Sequence, residues 1–75
     1  MVKPTSVTNR IRTLRFAAGE MTQAELAKKV GVTRQTIIAI EQGRYSPSLE
    51  MAFRIAHVFD VKLEEVFQYP EEGLS

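Results

Sequence analysis

Cysteine is absent from these 75 residues and histidine occurs once, at His57. Without cysteine neither a disulfide nor a thiolate metal site can form. With one imidazole and no second soft ligand, a structural zinc site is excluded, and no metal or cofactor is expected. No apolar run approaches the ~20 residues that a membrane span needs. The opening MVKPTSVTNR has no apolar core of the kind a signal peptide carries, so the expected location is cytoplasmic. The length suits one small domain over 1–75, with an ordered core at about 7–69 and a frayed tail at 70–75. Such a domain buries only about 60% of its unfolded surface, so its stability is modest. No nucleophile–base pairing and no phosphate-cradling glycine loop is present, and an enzyme is not expected.

A strong net charge is lacking too: the formal total is +1. Its distribution is uneven. Residues 1–45 carry eight Lys or Arg against three Glu, whereas residues 46–75 carry Arg54 and Lys62 against six acidic residues. A basic half and an acidic half point one face of the molecule at a polyanion.

What the chain does have is helical punctuation. Gly19, Gly31, Gly43 and the Ser46-Pro47 pair divide it into short helices, with no strand-like alternation. The spacing of Val7, Ile11, Leu14 and Ala18 predicts a first helix over about 8–18, ended by Gly19. Thr22-Gln-Ala-Glu25 reads as a capping box opening a second helix whose apolar face is Ala24, Leu26, Ala27 and Val30. Gly31 stops it, and Thr33 caps a third helix through about Gln42, with Ile37 and Ile40 inward. Ser46 or Ser48 caps a fourth, with one stripe of Leu49, Ala52, Phe53, Ala56 and Phe59 and another of Met51, Ile55 and Val58. A short fifth helix covers Lys62 to Phe67, carrying Leu63, Val66 and Phe67. The expected fold is all-α, with five helices.

Between the second and third helices lies one glycine and little else, so the two cross steeply and the outer face of the second of them stays free. That shape fits a DNA major groove. Counted from Gln23, Ala27 is fifth, where the helices touch, and Gly31 is ninth, in a turn that needs positive φ. Leu26, Val30, Val32, Ile37 and Ile40 take the fourth, eighth, tenth, fifteenth and eighteenth places, all inward. Seven agreements form a specific signal.

Residues 9–67 resemble the Cro/phage-repressor (xenobiotic-response-element type) helix-turn-helix family. The resemblance is carried by NRIRTLR, by TQAELAKKVGVTRQTIIAIEQGRYSPSLEMAFRIAHVF and by the closing LEEVF. It implies a lambda-repressor-like DNA-binding domain, acting as a homodimer on a two-fold operator and regulating transcription as a repressor. It implies that Gln23 grips a phosphate and braces its neighbour, that Arg34, Gln35 and Ala39 face bases, and that Arg44 meets a phosphate. Arg15 and Glu41 match a structural salt bridge. The chain departs from the family pattern in the longer turn Gly19-Glu20-Met21, in Asp60 for the usual glycine, and in Lys62 for the usual Ser or Thr cap.

Side-chain chemistry points the same way. Arg34 suits the O6 and N7 of guanine, and Gln35 the N6 and N7 of adenine, each worth about 1–3 kcal/mol of discrimination. Thr36 and Ile38 complete the base-facing set: Thr36 suits a phosphate or a thymine methyl, and Ile38, expected to be exposed, suits a thymine methyl. Thr22, Gln23, Thr33, Arg44, Tyr45 and Ser46 lie at helix mouths where hydroxyls and N–H groups hold phosphates, and Arg12 joins them from the first helix. Phe16 falls off the first helix's apolar stripe; its role is open between packing and a partner. Val58, Val66, Phe67 and Tyr69 are proposed as a self-complementary dimer patch. The alternative is a protein-interaction module, such as the antitoxin of a toxin pair, bound through the acidic half.

Overall fold

The computed structural model describes residues 5–70. Its second helix is the one most completely dictated by local sequence. Helix α2 (Gln23–Val30) opens on Thr22, whose hydroxyl accepts from the Glu25 N–H at 3.0 Å, while the Glu25 carboxylate accepts from the Thr22 N–H at 2.8 Å. The capping box is complete. Gly31 ends the helix in the left-handed region at φ +86, and two residues later Thr33 caps α3 (Arg34–Glu41) by accepting from the Thr36 N–H. Helix α4 (Leu49–Phe59) starts on Ser48, whose hydroxyl accepts from the Met51 N–H, so Ser48 and not Ser46 is the cap.

Asp60 takes the left-handed position after α4 at φ +54, the conformation usually given to glycine. Helix α5 (Leu63–Val66) begins after Lys62. A lysine side chain has no acceptor to offer the helix N-terminus. Glu65 supplies half a capping box instead, its carboxylate accepting from the Lys62 N–H at 2.9 Å.

The first helix is shorter than its periodicity predicts. Helix α1 covers Ile11–Ala17, and Thr8–Asn9 form instead a two-residue strand, β1. It pairs antiparallel with β2 (Phe67–Gln68), Thr8 opposite Gln68 and Asn9 opposite Phe67. The Arg10 N–H extends the zipper by donating to the Val66 carbonyl at 2.9 Å. Helical hydrogen bonds for Thr8 and Asn9 are replaced by this pairing with a distant segment of the same chain. Among the described residues the fold is otherwise helical, with five helices.

The core is formed by Ile11, Leu26, Ala27, Val30, Ile37, Ile40, Ile55, Ala56 and Val66. Small residues on α2 (Ala27) and α4 (Ala52, Ala56) are buried where the helices pack. Four residues placed inward by periodicity are exposed: Ala18, Ala24, Leu49 and Phe53. On α4 the two expected stripes merge into one buried arc through Ala52, Ile55 and Ala56, which leaves Leu49 and Phe53 at its edge, 67% and 49% exposed. No helix among the described residues is long and apolar enough to cross a membrane. The expected frayed tail lies, beyond Pro70, outside the described residues.

Candidate nucleic-acid interface

Arg34 and Gln35 occupy the first turn of α3 and are both exposed. Their placement follows from the turn before them. Gly31 reverses the chain without the clash a Cβ meets at positive φ, and Thr33 closes the next N-terminus within three residues. Inward, α3 is pinned to the core by Ile37 and Ile40, at 0% and 2% exposure. The helix therefore cannot roll, and its outer face is fixed.

Beneath that face lies a buried polar network. Arg15 of α1 donates from Nε to Glu41 Oε2 at 2.8 Å, from Nη2 to Glu41 Oε1 at 3.2 Å, and from Nη1 to the Met21 carbonyl at 2.8 Å. The Gln23 amide donates to Glu41 Oε1 at 3.2 Å. One carboxylate thus ties α1, the N-terminus of α2 and the C-terminus of α3 together. The family-implied pair of Arg15 and Glu41 is present, and Gln23 braces it. No buried side-chain nitrogen or oxygen among the described residues is left without a partner.

A second tie came with no warning from the sequence. Asn9 donates from Nδ2 to the Ile40 carbonyl at 3.0 Å and accepts at Oδ1 from the Ile11 N–H at 3.1 Å. It locks the start of α1 to the end of α3. Sequence periodicity places Asn9 inside the first helix, and a partner 31 positions away leaves no local signal.

The surface over this network is basic. One groove is walled by Arg12, Phe16, Thr22, Gln23, Ala24 and Arg34, with Glu20 and Glu41 also on its lining. An adjoining hollow is lined by Asn9, Arg10, Arg12, Thr13, Gln23, Glu41 and Gln42. Glu41 is held by Arg15, so Glu20 is the acid left to offset Arg10, Arg12 and Arg34 on these walls. Positive charge dominates where the mouths of α2 and α3 meet α1.

The remaining site residues divide by exposure. Arg44, Tyr45 and Ser46 are exposed past the end of α3. Thr22 and Thr33 are exposed caps whose hydroxyls already accept backbone bonds; the Thr22 O–H remains to donate, while the Thr33 hydroxyl is also hydrogen-bonded to that of Thr36. Thr36 is half-buried with its hydroxyl 3.0 Å from that of Thr33, while Ile38 and Ala39 are half-buried. In the expected dimer patch Tyr69 is exposed and Val58 and Phe67 are half-buried. Val66 must be removed from it. At 0% exposure it is enclosed by its own chain, because α5 turns it into the core, and no surface is left for a partner.

A rigid helix presented outward beside a ring of arginines and helix N-termini is the architecture of a protein that grips a duplex. Comparison with known proteins agrees. The helix-turn-helix family model matches residues 11–66. An uncharacterized HTH-type transcriptional regulator of Methanocaldococcus jannaschii is 57% identical over 56 residues, covering 75% of this chain and 85% of the relative. The cryptic phage CTXphi transcriptional repressor RstR of Vibrio cholerae is 31% identical over 67 residues, covering 89% of this chain and 60% of the relative. Among solved structures, a hypothetical transcription factor from Neisseria, NHTF, superposes with a TM-score of 0.70 at 28% identity, covering 85% of this chain and 72% of that one. The chain belongs to the helix-turn-helix family of DNA-binding transcriptional regulators.

Proposed function

We propose that this chain is a sequence-specific repressor that binds a two-fold symmetric operator as a homodimer, as one domain over 1–75. The observation that carries the reading is the outward presentation of Arg34 and Gln35 from a helix anchored by Ile37 and Ile40 and braced through Glu41. Arg34 and Gln35 read base edges in the major groove, with Thr36, Ile38 and Ala39 lining the rest of the contact. Thr22, Gln23, Thr33, Arg44, Tyr45, Ser46 and Arg12 hold the phosphates on either side and set the register of the helix. A duplex of two half-sites about one helical turn apart engages both subunits, which meet through Val58, Phe67 and Tyr69. Support for repression comes from the relative named as a phage transcriptional repressor.

Selection of bound duplexes from a random pool tests this reading. An inverted repeat is expected, bound by two chains per duplex. Recovery of no preferred sequence at low salt rejects sequence-specific binding, and recovery of a single unrepeated half-site rejects the homodimer.

A further inference from the structure

Phe16 is a large aromatic side chain that neither the core nor the base-reading face accounts for. It is 53% exposed, and it stands on the wall of the basic groove. Two guanidiniums lie against its ring: that of Arg12, one turn earlier on α1, at 5.4 Å from the centroid, and that of Arg15 at 5.6 Å. Both distances fall within the range in which a cation is attracted to the ring quadrupole.

The two arginines are not equivalent. Arg15 is immobilised by Glu41 and the Met21 carbonyl. The Arg12 side chain makes no hydrogen bond or ion pair among the described residues. The ring is therefore flanked by a fixed cation, and it holds a free one. Glu20 lines the same groove at φ +57 and forms no ion pair with Arg12. Stacking keeps the Arg12 guanidinium in the groove while leaving its donors unspent, which pairing with a carboxylate would not do. On the wall of the groove the Thr22 hydroxyl serves the Glu25 N–H, and the preceding N–H groups of Gln23 and Ala24 have no acceptor among the described residues. Arg12 and the mouth of α2 thus line one groove, where donors from both are open to an anion.

We infer that Phe16 is a positioning residue: it holds Arg12 over the N-terminus of α2 so that the guanidinium meets a backbone phosphate of the bound duplex. The inference rests on the DNA-binding reading of Arg12 given above. Phe16 itself touches no base. An alkyl side chain in its place would cover the same surface without orienting the cation.

The test uses the full chain and a fluorescent duplex of the selected sequence, or a random-sequence duplex at low salt if none is recovered, titrated across a salt series. Phe16→Ala and Phe16→Leu are each expected to weaken binding about two- to fivefold. Each lowers the salt slope part of the way toward the reduction of about 0.9 that follows loss of one phosphate contact, the full reduction being expected for Arg12→Ala. Phe16→Trp retains both affinity and slope, and Phe16→Ala added to Arg12→Ala costs nothing further. Thermal midpoints of these variants stay with that of the parent, which separates positioning from folding. Parent-like binding by Phe16→Ala, or an undiminished loss in the Arg12→Ala background, overturns the inference while leaving the DNA reading intact. If the parent binds no duplex at all, the underlying reading falls and this one with it.

Discussion

Arg15 on α1 and Glu41 on α3 meet at 2.8 Å with their side chains only 8% and 10% exposed. Charges this enclosed contribute to stability chiefly by satisfying each other, since removing one strands the other in a poorly solvated site. Glu41→Ala is expected to cost about 3–5 kcal/mol in urea unfolding. Replacing both, as Arg15→Met with Glu41→Leu, is expected to cost markedly less than the single change. Equal losses would mean that the pair is solvated in solution and does not brace the site.

Arg34 and Arg44 are both exposed arginines near α3, yet they are assigned different work. Arg34→Ala is expected to relax discrimination at one base position by about 1–3 kcal/mol, with other positions unchanged. Arg44→Ala weakens every sequence alike and lowers the salt slope by about one. Binding titrations on a panel of single-base operator variants decide this, and a uniform loss for both substitutions contradicts the division.

Gly31 has φ +86, and a Cβ built there meets nothing nearer than Arg54 Nη1 at 3.7 Å. Space is therefore sufficient, and the demand on this position is conformational. Gly31→Val places a branched residue in the left-handed region at a cost of about 1–3 kcal/mol. For a domain of this size each kcal/mol lowers the thermal midpoint by roughly 4–8 °C. Gly31→Asn, which tolerates that conformation, is expected to lose much less. A midpoint unmoved by valine would mean that the chain turns elsewhere.

Glu25 titrates below its ordinary value because its carboxylate accepts from the Thr22 N–H, helped by the Thr22 hydroxyl and, more weakly, by Lys29. A carboxyl whose folded pKa is depressed binds protons less readily folded than unfolded. Its contribution is fully present above the unfolded pKa and is lost as pH falls through the folded one. Stability should thus decline on the acid side of the carboxylate range, and Glu25→Gln should flatten that limb. Denaturation curves collected at several acidic pH values measure it; identical limbs in the two proteins would show that the capping box carries no linked proton.

The exposed pair Leu49 and Phe53 shows where periodicity stops being informative. On α4 both fall on the same apolar stripe as the buried Ala52 and Ala56, while the buried Ile55 falls on the other. Only the positions of α2 and α5 select which arc is covered. Val66 is the opposite case, an apolar residue late in the chain whose burial depends on α5 packing against α4.

The ends of α2, the cap of α3 and the positive φ at Gly31 were settled by the amino-acid order alone. Each depends on bonds that close within three to five residues, such as Glu25 to Thr22 and Thr36 to Thr33. The tie from Asn9 to the Ile40 carbonyl spans 31 positions, and the bond from Thr8 to Gln68 spans 60. Partners that far apart have no local signature, because their meeting depends on how the whole core packs. Tertiary structure therefore decided how α1 is fastened to α3, which face of α4 stays bare, and which arginine Phe16 is left to hold.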